Sequence, residues 1–144
     1  MAAAWHHLGA DLERRVALLD RIPPGASVFG FARFADRRKV AWTRQMGLKY
    51  LHQYAVLRRH ATVNDLFAYA NQQPLRFRLP LMTVRPGRLD PPEVFDQWAQ
   101  VFARYQYVFV TKLDEPYRRF LTARCRLVGR VADAALFAGC RARP

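Results

Sequence analysis

The stretch between positions 52 and 73 gathers the side chains of this sequence best suited to holding a ligand. Arg58 and Arg59 are adjacent, and a guanidinium presents a planar fork of donors that grips phosphate in a bidentate way. Asn64 and Asp65 follow at the expected end of a strand, where open α/β sheets put their ligand-binding polar groups. Gln72 and Gln73 add amides that hydrogen-bond hydroxyls, and His52 and Tyr54 open the stretch. We take His52, Tyr54, Arg58, Arg59, Asn64, Asp65, Gln72 and Gln73 as candidate ligand-binding residues. Arg58 and Arg59 would hold phosphate, while Asn64, Asp65, Gln72 and Gln73 would bind hydroxyls. Asn64-Asp65 also reads as an ordinary turn.

Covalent and metal chemistry find little support. Ser27 is the only serine and starts a strand expected to be buried, so the nucleophile-and-base pair of a serine hydrolase has no starting point. No glycine-rich phosphate loop, HExxH or CxxC occurs, and His52 and His60 are eight residues apart, which is not a usual ligand spacing. The paired acids Asp114-Glu115 and Asp90 with Glu93 stand where helix N-termini attract negative charge. A small transferase or hydrolase would need Asp65 and His52 to converge, and no partner motif accompanies them. No catalytic residue, metal or cofactor is expected. Cys125 and Cys140 fall opposite one another, within disulfide reach, if the chain turns at Ala132-Asp133; a turn at Gly129 separates them.

Charge narrows the class of partner. Lysine plus arginine number 24 against 11 acids, for a net +13, and nearly all of the excess is arginine. Such a surface attracts phosphates, anionic lipid headgroups, acidic glycans or nucleic acid. A high-GC genome produces the same bias, since Ala, Gly and Pro rise with Arg, and the arginines are scattered in pairs rather than massed in a tail. Phe29, Phe31, Arg33 and Phe34 resemble a base-stacking platform only superficially, because alternating aromatics in a short strand usually belong to a core.

The elements that must position these residues follow from periodicity. Leu12, Val16 and Leu19 mark an amphipathic helix over 11–21 that ends at Ile22-Pro23-Pro24-Gly25. Ser27 to Phe31 reads as a buried strand. Polar, basic residues 33–43 read as a loop. Tyr50, Leu51, Tyr54 and Leu57 recur at helical spacing within 46–57, and a second strand is expected from about Ala55 to Val63. Residues 70–92 form a long proline-rich connection. Asp90-Pro91-Pro92-Glu93 caps a helix with an apolar stripe from Val94 to Tyr105, which leads into a strand at Tyr107–Thr111. Asp114-Glu115-Pro116 starts another helix through about Ala123, and Cys125–Val131 with Ala134–Ala138 read as an antiparallel pair. The expectation is one α/β domain over 1–144: a small two-layer or three-layer unit with helices on a mixed sheet and a C-terminal antiparallel hairpin. No apolar run reaches the roughly 20 residues of a membrane span, and the N-terminus lacks a secretory signal.

Several stretches together resemble the C-terminal tail of polytopic bacterial membrane glycosyltransferases of the protein-mannosyltransferase and aminoarabinose-transferase type. They are, in order, Leu19 to Val28, Tyr50 to Arg59, Val63 to Phe67, Gln72 to Leu75, Tyr105 to Val110, and Arg126 to Phe137. The catalytic acids of that family lie in loops tied to the membrane part, so no catalytic residue carries over. The resemblance implies a non-catalytic recognition domain on the extracytoplasmic face of a bacterial membrane, near lipid-linked sugar or glycan. Its partners would be an anionic lipid headgroup, a polyprenyl-phosphate sugar or glycan, and a membrane-embedded subunit. Without that resemblance, a cytoplasmic location is expected, and a basic nucleic-acid-binding module is the rival function.

Overall fold

The computed structural model describes the backbone of residues 2–32, 50–64 and 95–141 and the side chains of 9–32, 50–64 and 98–141. Within that span the chain is an α/β unit. Helix α1 (Ala2–Val16) runs into a 3-10 turn at Ala17–Arg21, and the two prolines stop it. Strand β1 (Ser27–Ala32) follows, then a 3-10 turn at Leu51–Gln53, helix α2 (Tyr54–Arg59), strand β2 (Thr62–Val63) and helix α3 (Phe95–Phe102). The chain ends with β3 (Tyr107–Thr111), α4 (Glu115–Arg124), β4 (Arg126–Val131) and β5 (Ala134–Ala138).

The sheet has the order β2-β1-β3-β5-β4. Strands β2, β1 and β3 are parallel, β5 is antiparallel to β3, and β4 is antiparallel to β5. The hairpin turns at Ala132 and Asp133, as one of the two sequence registers required, with Ala132 in the left-handed region at φ 52°.

Strand alternation divides the core in two. Val28, Phe109 and Leu136 face α1, its 3-10 extension and α2, where Leu18, Leu19, Ile22, Leu51 and Ala55 cover them. Phe29, Phe31, Val108, Val110 and Phe137 face α3 and α4. The fold is therefore the three-layer alternative. On the second face Phe29 meets Trp98, Phe102 and Tyr105 with ring centroids 5.2–5.9 Å apart, and Phe31 stacks on Phe102 at 5.5 Å. Each such pair contributes roughly 0.5–1.5 kcal/mol beyond area burial. Phe29 and Phe31 are 0% and 2% exposed, so these two rings belong to the core and not to a stacking platform.

The sequence expectation fails around β2. In place of a strand from Ala55 to Val63, the chain is helical over Tyr54–Arg59 and reverses at His60, which adopts the left-handed conformation at φ 51°. Only Thr62 and Val63 pair with β1. The Asn64 side chain then takes over the ladder: its Oδ1 accepts from the Gly30 amide at 2.6 Å and its Nδ2 donates to the Gly30 carbonyl at 3.2 Å. A side-chain amide thus replaces the next peptide of the strand. At α4 the expected cap is present, with the Asp114 carboxylate accepting from the Tyr117 amide at 3.2 Å. The expected cap at Asp90 and the proline-rich connection lie outside the described residues.

At Gly30 the chain segment Leu51–Gln53 lies close against the sheet. A Cβ built there would overlap the Cβ and the ring of His52, which is itself 2% exposed. Gly30→Ala is expected to cost stability at the upper end of the roughly 1–3 kcal/mol typical of overpacking, and His52→Ala in the same chain should recover part of the loss. Urea denaturation of the three variants checks both statements.

Candidate functional site

Five of the eight residues chosen from sequence are described, and they take up different positions in the fold. His52 packs on the face of Gly30 and Asn64 bonds its backbone along the sheet edge, and both are 2% exposed, so they are built into the frame. Tyr54 is about half exposed at the start of α2. Arg58 lies across α1 and its extension, ion-paired with Glu13 and with Asp20, the latter at 2.9 Å. The Glu13 hydrogen bond, followed by the attraction of Asp20, raises its pKa above the ordinary value even though desolvation opposes the charge. Arg59 donates from Nε to the Ile22 carbonyl at 2.5 Å, immediately before Pro23, and forms no ion pair among the described residues. Asp65, Gln72 and Gln73 lie outside the described residues.

What the fold forms instead is a depression of about 400 Å³ at the end of the sheet where β1 and β3 begin and β5 finishes. One wall is the turn Pro23–Ala26; the other is Gln106, Tyr107, Ala138 and Gly139. The volume is in the range of small-molecule sites. Gly25 supplies the positive φ, 77°, that the Pro-Pro-Gly turn requires, and its amide donates to the Arg59 carbonyl at 2.9 Å. Beside the depression, Ser27 and Gln106 exchange two hydrogen bonds. The Ser27 amide donates to the Gln106 Oε1 at 2.9 Å, and the Gln106 amide donates to the Ser27 Oγ at 3.1 Å. The lone serine is thereby used to join β1 to the start of β3.

Sheet register brings a second cation to this edge. Tyr107 opposes Ala138 across β3 and β5, and Ala138 opposes Arg126 across β5 and β4. Directly opposed residues have Cβ atoms about 4.5–5.5 Å apart, so Arg126 is the next residue in the row after the wall of the depression. A disulfide between Cys125 and Cys140 closes the same corner, with Cα atoms 4.1 Å apart. The Arg141 amide donates to the Arg124 carbonyl at 3.0 Å. Arg126 and Arg141 are exposed and form no ion pair among the described residues. Each directly follows a cysteine of the bridge.

No family model, curated protein or solved structure matches this chain. The site is therefore interpreted from its own chemistry. Among the described residues no group of His, Cys, Asp or Glu is placed to hold a metal ion, and no helix is long and apolar enough to cross a membrane.

At the opposite end of the sheet an ion pair joins α1 to the hairpin turn. The Arg15 side chain, 8% exposed, bonds Asp133 in the β4–β5 turn at 2.8 Å and also pairs with Asp11. Burial works against this charge, yet the hydrogen bonds that Arg15 donates to Asp11 and Asp133 outweigh it and the pKa is raised. Asp133→Asn leaves the buried guanidinium short of a charged acceptor and is expected to cost about 1.5–3 kcal/mol. Arg14→Ala, at a mostly exposed position, is expected to stay within about 0.5 kcal/mol. Parallel urea titrations test the contrast.

Proposed function

We propose that this chain is a recognition domain without a catalytic step of its own, acting on the extracytoplasmic side of a bacterial membrane in the handling of lipid-linked sugars or envelope glycans. The observation that carries the reading is the Cys125–Cys140 disulfide, which uses both cysteines of the chain. Disulfides form and persist in oxidising compartments and are rare in the cytosol. That compartment holds phospholipid headgroups, polyprenyl-phosphate sugars and glycans, the anionic and hydroxyl-rich partners that a net +13 chain attracts. It also agrees with the resemblance of Leu19 to Val28, Tyr50 to Arg59 and Arg126 to Phe137 to the tails of membrane glycosyltransferases.

Nucleic acid is the rival partner on charge alone. It is less favoured because Phe29 and Phe31 are enclosed in the core and because a disulfide-dependent frame is out of place beside intracellular nucleic acid.

Two measurements test the proposal. Thiol trapping after expression in the bacterial periplasm should find Cys125 and Cys140 protected, and Cys125→Ser with Cys140→Ser should lose about 3 kcal/mol of stability for a sequence separation of 15 residues. Vesicles carrying phosphatidylglycerol or a polyprenyl phosphate should bind the domain at about 0.15 M salt, where the Debye length is roughly 8 Å, and more tightly than single-stranded RNA. Free thiols in the periplasm, or RNA binding that exceeds lipid-phosphate binding, would contradict it.

A further inference from the structure

The depression at the start of β1 and β3 exists because small residues surround it. Gly25, Ala26, Ala138 and Gly139 are four of its eight lining residues, and a Cβ built on Gly25 or Gly139 would meet nothing within 4 Å. Between them stand Pro23 and Pro24 on one wall and Gln106 with Tyr107 on the other. Tyr107 lies between Val28 and Ala138 in its row of the sheet and is only partly buried against the core. None of the lining residues carries a charge, although the chain as a whole is strongly basic.

One polar side chain in this lining is held in a fixed orientation. The Gln106 Oε1 accepts from the Ser27 amide at 2.9 Å while the Gln106 amide donates to the Ser27 Oγ at 3.1 Å. The oxygen of the carboxamide must meet the Ser27 N–H, so its nitrogen is the end that remains. The Nε2 donors form no hydrogen bond among the described residues. The walls are tied as well: the Gly139 amide donates to the Gln106 carbonyl at 3.3 Å, the Gly25 amide to the Arg59 carbonyl at 2.9 Å, and Cys140, next to Gly139, is bridged to Cys125. Little ordering is therefore needed on binding.

The chemistry of a ligand follows from these features. A concavity of about 400 Å³ lies toward the lower end of the range of small-molecule sites and suits one ring with its substituents. A charged ligand would lose hydration there without a countercharge in the lining. A wholly apolar ligand would leave the Nε2 donors covered and unpaired. A pyranose meets both conditions, since it offers an apolar C–H face to proline and tyrosine and hydroxyl oxygens to an amide donor.

We infer that this depression is a subsite for a neutral pyranose ring, in which Tyr107, Pro23 and Pro24 contact the C–H face and the Gln106 Nε2 donates to a hydroxyl. The inference rests on the proposed recognition function and narrows its ligand to an uncharged sugar unit. Such a ring is supplied by a glycan chain or by a lipid-linked sugar.

Amide chemical shifts of the full chain, titrated with the methyl glycosides of glucose, mannose and galactose, test the site. At least one glycoside is expected to shift the Gly25 and Gly139 amides and the Gln106 side-chain amide, with a dissociation constant on the order of 1 mM. Gln106→Met keeps the length of the side chain without its donor, and Tyr107→Val keeps a strand former without the ring; near-UV circular dichroism confirms that both are folded. Each is expected to weaken binding about fivefold or more, as the loss of one hydrogen bond or ring contact implies. Tyr54→Ala, outside the lining, should stay within about twofold. The octyl glycoside of the same sugar identifies the source: affinity equal to the methyl glycoside assigns a glycan chain, and affinity about tenfold higher assigns a lipid-linked sugar. No shift with any glycoside, equal affinity in all three variants, or stronger shifts with cyclohexanol or a tetraproline peptide overturn the subsite. These results leave the recognition function standing if the chain still binds lipid-phosphate vesicles. Glycoside binding by a chain that binds no such vesicles keeps the subsite and overturns the membrane reading.

Discussion

The missing side chain of Gly30 is the constraint on which the arrangement depends. With no Cβ in the way, the His52 ring lies directly on β1, and the 3-10 turn that carries it leads at once into α2. The backbone of Gly30 is then closed from its open side by the Asn64 amide. Two buried polar residues are thereby satisfied or packed at a single point of the sheet, where an unpaired amide would cost roughly 1–3 kcal/mol. The segment between them, Leu51 to Val63, is fixed at both ends. That is what brings Arg59 beneath the Ile22 carbonyl and lets its own carbonyl take the Gly25 amide.

The distribution of charge follows from the same frame. Acids in α1, in its extension and in the β4–β5 turn are matched to Arg15 and Arg58, and Glu115 is shared by Arg118 and Arg119. Apart from that of Arg15, whose side chain is buried, salt bridges of this exposed kind stabilise little, but all of them remove their arginines from competition for an outside anion. Arg58 and Arg59, adjacent in sequence and equivalent by composition, thus have different roles. One reaches back to Glu13 and Asp20, and the other donates to the Ile22 carbonyl.

Much of the architecture was legible in the sequence. The Pro23-Pro24-Gly25 stop, the β-branched and aromatic run Tyr107–Thr111, the Asp114 cap and the hairpin are local signals, and the structure contains each of them. The segment before β2 was misread because Ala55–Val63 is apolar enough for either state. The left-handed turn at His60 that ends α2 has no glycine to announce it. The candidate site was less legible, since His52 and Asn64 look like ligand groups in sequence and become frame residues only through Gly30, a contact that sequence spacing does not reveal.

Hydrogen exchange at the Gly30 amide measures the central constraint most directly. If the Asn64 side chain closes β1 as described, that amide should exchange only through global unfolding, at the rate of Val108 and Val110 in the adjacent strand, although β2 itself is only two residues long. Exchange of Gly30 at the rate of a surface turn, with Val108 and Val110 still protected, would contradict the account. It would mean that the segment carrying Arg59 is not held against the sheet.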